Sequence, residues 1–412
     1  MVASGGQSGG VGSFVRRCLA LSCLATWVAG CAADLVPRVA VPASLVDKAS
    51  VSEFNQIRYW GDSKPSAYKE LAAHRIESIR QAYGDKASKL SGTRDILTLS
   101  GGGSDGAFGA GLLIGWTERG DRPHFDYVTG ISTGAMMAPL AFLGSKYDPQ
   151  LKEAYTTLSD DDVASTQIFS AVIGAADSLV DTTPLKGLVA KYMTVEMLRE
   201  IAEEHRKGRI LMIGTTNLDA QRSVVWDIGA IAASGSPDAL ALIRQIILAS
   251  AAIPGAFPPV EISVTVDGKL YQEMHVDGGV TRQVFLYPPG YTPKAVDKAI
   301  GWKIKRRVYI IRNSKIDPEF AVTKDQLLPI ASRSISTLIK TQGIGDLYQI
   351  HTTAKRDGVD YNLAYIPSDF DAVAKSGFDK TYMNSLFKRG YELGRAGYPW
   401  HKVPPGFEPA EN

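Results

Sequence analysis

Twice between residues 95 and 143 a short apolar run is cut by glycines and resumes as an apolar, small-residue segment. "DILTL" (95–99) meets a glycine loop and continues through 107–117, and "FDYVTG" (125–130) meets "GISTG" (130–134) and continues through 134–143. An extended run that turns into a helix across glycines and small residues is the joint of an α/β sheet. The pattern persists downstream, with a helix over 194–206, strands over 209–217 and 223–229, and a helix over 238–252. A hairpin over 260–279 turns at Asp267-Gly268, and 307–313 is a further apolar strand. Strands alternating with helices predict a sheet covered on both faces. Around this core, 64–90 has helical spacing (Leu71, Ile76, Ile79, Tyr83), and the C-terminal region reads as a helix near 325–342, a strand near 361–366 and a polar tail. Residues 145–185, with the acidic run Asp160–Asp162, have no strong periodicity and read as a solvated connection rather than a lid.

The first 30 residues have a different character. Arg16 and Arg17 precede the apolar run "CLALSCLATWVAG" (18–30), which is shorter than the roughly 20 residues a membrane span needs. Small residues then lead directly to Cys31, in "VAGC". This resembles the lipobox of bacterial lipoproteins, which implies a signal peptide over 1–30, an acylated Cys31 and anchorage to a membrane of the cell envelope. Ala32, where such lipoproteins carry Asp for inner-membrane retention, implies the outer membrane, facing the periplasm. Cys18, Cys23 and Cys31 are the chain's three cysteines, so the rest of the protein has no disulfide, thiol nucleophile or thiolate metal site. The net charge of +2 gives no strong field for nucleic acid, and 45% hydrophobic with 21% charged residues fits a globular chain. Removing residues 1–30 takes away two arginines and no acids, leaving 43 charges of each sign.

The glycine loop admits two chemistries. Gly101, Gly103 and Gly106 satisfy G-x-G-x-x-G, with Asp121 twenty residues beyond Gly101, as in a dinucleotide-binding turn. The same glycines can instead offer backbone N–H groups to an oxyanion. "GISTG" favours the second reading. In G-x-S-x-G between strand and helix, Gly130 and Gly134 permit a sharp turn that exposes the Ser132 hydroxyl. A serine needs a base. The later histidines, His205, His275, His351 and His401, lie in no segment like a triad loop, whereas Asp277 ends a strand and is followed by Gly278 and Gly279. Its carboxylate can approach another loop without hindrance, although Asp-Gly is also a common turn.

In this order, "GGGSDGAFGAG" (101–111), "GISTG" (130–134) and "VDGG" (276–279) resemble the patatin-like phospholipase family, as do "ILASAAIPGAFPPV" (247–260) and "GTTNLDAQRSVVWDIGAIA" (214–232). The resemblance spans about 95–315. It implies a three-layer α/β/α sandwich with a mostly parallel central sheet. It leaves 31–94 as tether and N-terminal helical segment, and 316–412 as an extension packed on the catalytic domain. It further implies Ser132 as nucleophile, Asp277 as general base, and an oxyanion hole drawn from Gly101, Gly102, Gly103, Ser104 and Gly106. The expected substrate is a lipid or other acyl ester, cleaved without metal or organic cofactor. One position departs from the family, which usually has a basic residue before the last glycine of this loop. Here it is Asp105, which weakens the expectation of a phospholipid headgroup more than that of hydrolysis. The alternatives are a lipid-binding envelope protein without catalysis and, through the glycine loop, a nucleotide-binding oxidoreductase.

Overall fold

In a computed structural model of the chain, the residues described are Met1 and 38–407, apart from 55, 64–67, 85, 87–90, 164–182 and 289. Cys31 and the apolar N-terminal run lie outside them, as does 164–182 of the 145–185 segment. The chain divides into two compact units between Val39 and Ala40, and every element below belongs to the second.

In chain order these elements begin with β1 (Arg58–Trp60), α1 (Tyr68–Tyr83) and β2 (Ser91–Leu99). Next come α2 (Gly106–Arg119), β3 (Tyr127–Gly130), α3 (Thr133–Leu143), α4 (Asp148–Thr156), α5 (Thr183–Tyr192) and α6 (Val195–Arg206). The strands β4 (Ile210–Asn217) and β5 (Arg222–Asp227) precede α7 (Ile228–Ala233) and α8 (Ala239–Ser250), which lead to the hairpin β6 (Val260–Val266) and β7 (Lys269–Asp277). The last are α9 (Pro293–Ile300), β8 (Lys303–Lys315), α10 (Leu327–Asp357), β9 (Val359–Ile366) and α11 (Lys380–Ala396).

The sheet runs β1-β5-β4-β3-β2-β8-β9. The five strands from β4 through β3, β2 and β8 to the edge strand β9 are parallel, and β5, β1 and the β6–β7 hairpin are added antiparallel. Side chains alternate between two cores. Leu97, Leu99, Tyr309, Ile311 and Ala364 pack into one with Phe108, Leu112, Met137 and Leu386, from α2, α3 and α11. Their neighbours Ile96, Val308, Ile310 and Leu363 pack on the other side against Leu347, Ile350 and Ala354 of α10. This period-two division makes the three layers the sequence predicts, a mostly parallel sheet between helices.

Register fixes where the loops meet. Leu99 pairs with Gly130, Gly130 with Ile213, and Leu99 also with Ile311, so the parallel strands end together. The glycine loop and the GISTG turn both leave from this carboxyl edge. β7 delivers the third motif there by pairing antiparallel to β4, with Asp277 opposite Thr215.

Three elements differ from the sequence reading. The strand expected to run to 229 stops at Asp227, whose carboxylate accepts from the Ala230 amide and caps α7. The helix expected to stop at 342 continues to Asp357, past Gly343, where a Cβ would lie 2.5 Å from Arg312 Nη1. The polar tail contains α11, seated on α2 through glycines. A Cβ on Gly111 would stand 2.1 Å from the Phe387 carbonyl oxygen, and one on Gly390 would stand 2.2 Å from that of Phe108. Contacts this close exist only between side-chain-free surfaces, and such a surface leaves no apolar period to read.

Candidate active site

Ser132 sits at the joint of β3 and α3 with φ +54° and ψ −123°, a left-handed backbone rarely tolerated outside glycine. Its surroundings enforce the turn. A Cβ on Gly130 would lie 2.3 Å from the Gly134 carbonyl oxygen, and one on Gly134 would lie 2.4 Å from that of Leu99. The Ser132 amide donates to Ser250 Oγ (3.0 Å), whose hydroxyl donates to the Gly214 carbonyl (2.7 Å). α8 and β4 thus pin the turn from below. Glycine is needed here on steric grounds, and the hydroxyl is left at the head of a helix.

Asp277 reaches the same point from β7. Its amide donates to the Ala252 carbonyl (2.9 Å), and its Oδ1 accepts from the Gly279 amide (2.7 Å). Gly278 lies so close to Gly214 that a Cβ would meet its carbonyl at 2.5 Å. Oδ2 is buried without a hydrogen-bond partner among the described residues. Burial pushes the Asp277 carboxyl up to about 6, against the pull of the nearby Ser132 hydroxyl and the Gly279 amide. The hydroxyl is near enough to lower that value without closing a hydrogen bond of full geometry onto Oδ2.

The glycine loop is held by a residue the sequence reading missed. Asn313, at the end of β8, donates from its amide to Ser100 Oγ (2.8 Å) and from Nδ2 to the Ser100 carbonyl (3.0 Å). Its Oδ1 accepts from the Gly109 amide (3.2 Å), and its own carbonyl would lie 2.0 Å from a Cβ on Gly102. "RVYIIRN" reads as a buried strand, and its polar end at the carboxyl edge was the available signal. This packing divides the five expected donors. The Gly101 amide is taken by the Gln283 carbonyl (3.0 Å). The Gly106 amide turns back to the carbonyls of Gly103 and Ser104. Gly106 is instead required by space, since a Cβ there would lie 2.2 Å from Thr133 Oγ1. Among the described residues, the amides of Gly102, Gly103 and Ser104, at the start of the short 3-10 turn Gly103–Asp105, have no backbone partner, as a helix start leaves them.

Asp105 ends that turn and accepts a 2.6 Å hydrogen bond from Tyr382 Oη of α11. Burial raises its carboxyl to about 7; Glu319 adds to the rise, while Tyr382, Lys315 and Lys340 oppose it. An ionisable acid is therefore built into the loop.

An apolar pocket, open to solvent, begins at Gly103 and Ser132 and runs between Met136, Leu140, Leu188, Val189 and Ile247. Leu158 and Leu185 line it too, so the described ends of the 145–185 segment are packed walls, not the solvated connection expected from their composition. Phe257 lines the pocket, whereas Tyr287 packs in the core of the opposite layer.

Other candidates do not converge. His275 is buried with Nδ1 at 2.9 Å from Thr215 Oγ1 and Nε2 at 3.1 Å from Glu273 Oε2, so both nitrogens are engaged. His351 packs edge-on to Tyr361, and His401 stacks on Tyr365. Asp121 lies beyond the far end of α2, about 20 Å along the axis from Gly106, and pairs with Arg119 (3.6 Å). A glycine turn and an acid at opposite ends of a helix cannot grip one dinucleotide as the spacing suggested.

Residues 97–288 match the family model of the patatin-like phospholipases. Over these residues the chain is similar to that family. The match contains the glycine loop, Ser132 and Asp277, and at family level it supports a lipid acyl hydrolase. No curated protein matches the chain. Among solved structures, VipD from Legionella pneumophila resembles it with 12% identity and a TM-score of 0.36, over 74% of this chain and 66% of VipD. The chain thus spans about two thirds of that protein's length.

Proposed function

We propose that the patatin-like domain hydrolyses carboxylic ester bonds of lipids, with Ser132 as nucleophile and Asp277 as general base. In this reading Ser132 Oγ attacks the ester carbonyl carbon while Asp277 Oδ2 takes its proton. The carbonyl oxygen becomes an oxyanion held by the amides of Gly102, Gly103 and Ser104, and the start of α3 adds a favourable dipole. Collapse breaks the bond to the alcohol, which leaves with the proton from Asp277. Water then attacks the acyl-enzyme, gives its proton to Asp277, and releases the fatty acid and free Ser132. The apolar pocket receives the acyl chain, which points to phospholipase A, lysophospholipase or broader lipid acyl hydrolase activity.

The observation that carries this reading is the buried, unpartnered Asp277 Oδ2 beside a serine held in a strained turn. An isolated buried carboxylate oxygen is costly unless a proton or donor meets it, and a base elevated to about 6 suits proton transfer near neutrality. The test is turnover of p-nitrophenyl acyl esters of several lengths and a labelled phospholipid by wild type and Ser132→Ala. The reading requires Ser132-dependent release on at least one, and its absence on all would contradict it.

Acylation of Cys31 and tethering to the outer membrane of a bacterial envelope remain part of the proposal, supported by the "VAGC" sequence. Among the described residues, no helix is long and apolar enough to cross a membrane. Mass spectrometry of the membrane-extracted protein would detect a diacylglyceryl-modified N-terminal cysteine at position 31; an unmodified Cys31 would remove the anchor from the account.

A further inference from the structure

Between Asp317 and Leu338 every described side chain but Pro329 is exposed. The apolar ones are numerous: Phe320 is 95% exposed, Val322 84%, Leu327 82% and Leu338 70%, with Ile330 and Ile335 near half. Leu327, Ala331, Ile335 and Leu338 are spaced i, i+4, i+8 and i+11, so they share one face of the first three turns of α10. Arg333 and Lys340, seven apart, lie on the opposite face, and no acid occurs between Leu327 and Gly345. Arg333 donates to the Glu319 carbonyl and Lys340 to Glu319 Oε2 (3.0 Å) and the Asp317 carbonyl. These bonds fold the 316–326 loop back onto the helix. The result is an arm with an apolar side and a charged side.

The arm is rooted in the candidate site. Gln342 donates to the Thr281 carbonyl, and Gly343 is packed against Gln283 and Arg312. Thr281 and Gln283 follow the Asp277-Gly278-Gly279 turn, and the Gln283 carbonyl holds the Gly101 amide. Lys315, Glu319 and Lys340 also act electrostatically on Asp105, so the arm lies beside the glycine loop.

We propose that residues 316–340 dock on a lipid surface and bring the pocket mouth to it; this rests on the reading of the domain as a lipid hydrolase. A helix end with exposed apolar residues on one face, and with cations as its only charges on the other, has the composition of an interfacial segment. Over 315–340 four cations accompany three carboxylates, so apolar burial dominates and attraction to anionic headgroups is secondary. Docking would therefore persist at moderate salt. It would place the ester next to Ser132 without first extracting the lipid into water.

The experiment uses the full chain and phosphatidylcholine/phosphatidylglycerol vesicles, with and without brominated acyl chains. A Leu338→Trp variant should lose fluorescence on brominated vesicles well beyond the wild type, whose six tryptophans provide the background. The Leu327→Ser/Leu338→Ser double variant should hydrolyse vesicle phospholipid at least tenfold more slowly, with turnover of a monomeric short-chain ester unchanged within twofold. The quenching readout needs no catalysis, so failure of docking and failure of the hydrolase reading are separable. Leu338→Trp unaffected by brominated lipid, or a double variant with full activity on vesicles, would overturn the proposal. So would light scattering showing a dimer that the double variant dissociates, because the face would then belong to a second copy.

Discussion

Replacing Asp277 by Asn should abolish hydrolysis while making the protein more stable, by an amount that depends on pH. Folding raises this carboxyl from 3.8 to about 6, burial being the largest cause. A folded state that holds the proton more tightly than the unfolded one is most stable below pH 4 and loses that advantage as pH rises through 6. At about 1.4 kcal/mol for each tenfold change in proton affinity, the difference amounts to about 3 kcal/mol, lost from the wild type between pH 4 and pH 7. Asn keeps an oxygen for the Gly279 amide and carries no charge, so the variant does not lose it. Urea or thermal unfolding of both proteins from pH 4 to 8 measures the gap. It should be near zero or negative at pH 4 and reach about 3 kcal/mol in favour of Asn at pH 8. A gap that does not change with pH, or an Asn variant less stable at pH 8, would refute the claim that Asp277 is buried as a strained base.

Further outcomes follow from the loop and the helix contacts. With Asp277 as base, kcat/KM should rise with pH through about 6, and ionisation of Asp105 beside the forming oxyanion should lower it above about 7. Asp105→Asn keeps the acceptor for Tyr382, so it should raise activity several-fold at pH 8 and leave it unchanged at pH 5.5. A profile identical to wild type would show that the carboxyl does not sense the transition state. Gly111→Ala places a methyl 2.1 Å from a backbone oxygen of α11 and should cost about 2–3 kcal/mol in unfolding measurements. Gly187→Ala, in the open on α5, should instead stabilise by about 0.5–1 kcal/mol.

The parts of this molecule legible in its sequence are those whose physics is local. A strand that must turn sharply into a helix declares itself through Gly130 and Gly134, and Asp277 before two glycines is visible as a carboxylate with free approach. Parallel strands are readable because both faces are buried and the runs are nearly continuous in apolar residues. What was not legible depends on partners distant in the chain. Nothing near residue 101 shows that its amide is taken by Gln283, or that Asn313 would hold the loop. The α2–α11 contact hid because glycine, its main component, has no hydropathy to form a period. α10 continues past 342 through Gly343 and Gly345, residues that locally resemble a helix end, and Arg312 and Gln283 fill the space a side chain would occupy at Gly343. The Asp121 spacing misled for a related reason: a sequence offset of twenty does not record that a whole helix separates the two ends.

The central claim, that Ser132 is a nucleophile activated by Asp277, is tested most directly by an active-site fluorophosphonate followed by peptide mapping. The account predicts one adduct, on Ser132, absent from Ser132→Ala and formed far more slowly in Asp277→Asn. An unlabelled wild type, or an adduct on another residue at undiminished rate in Asp277→Asn, would contradict it.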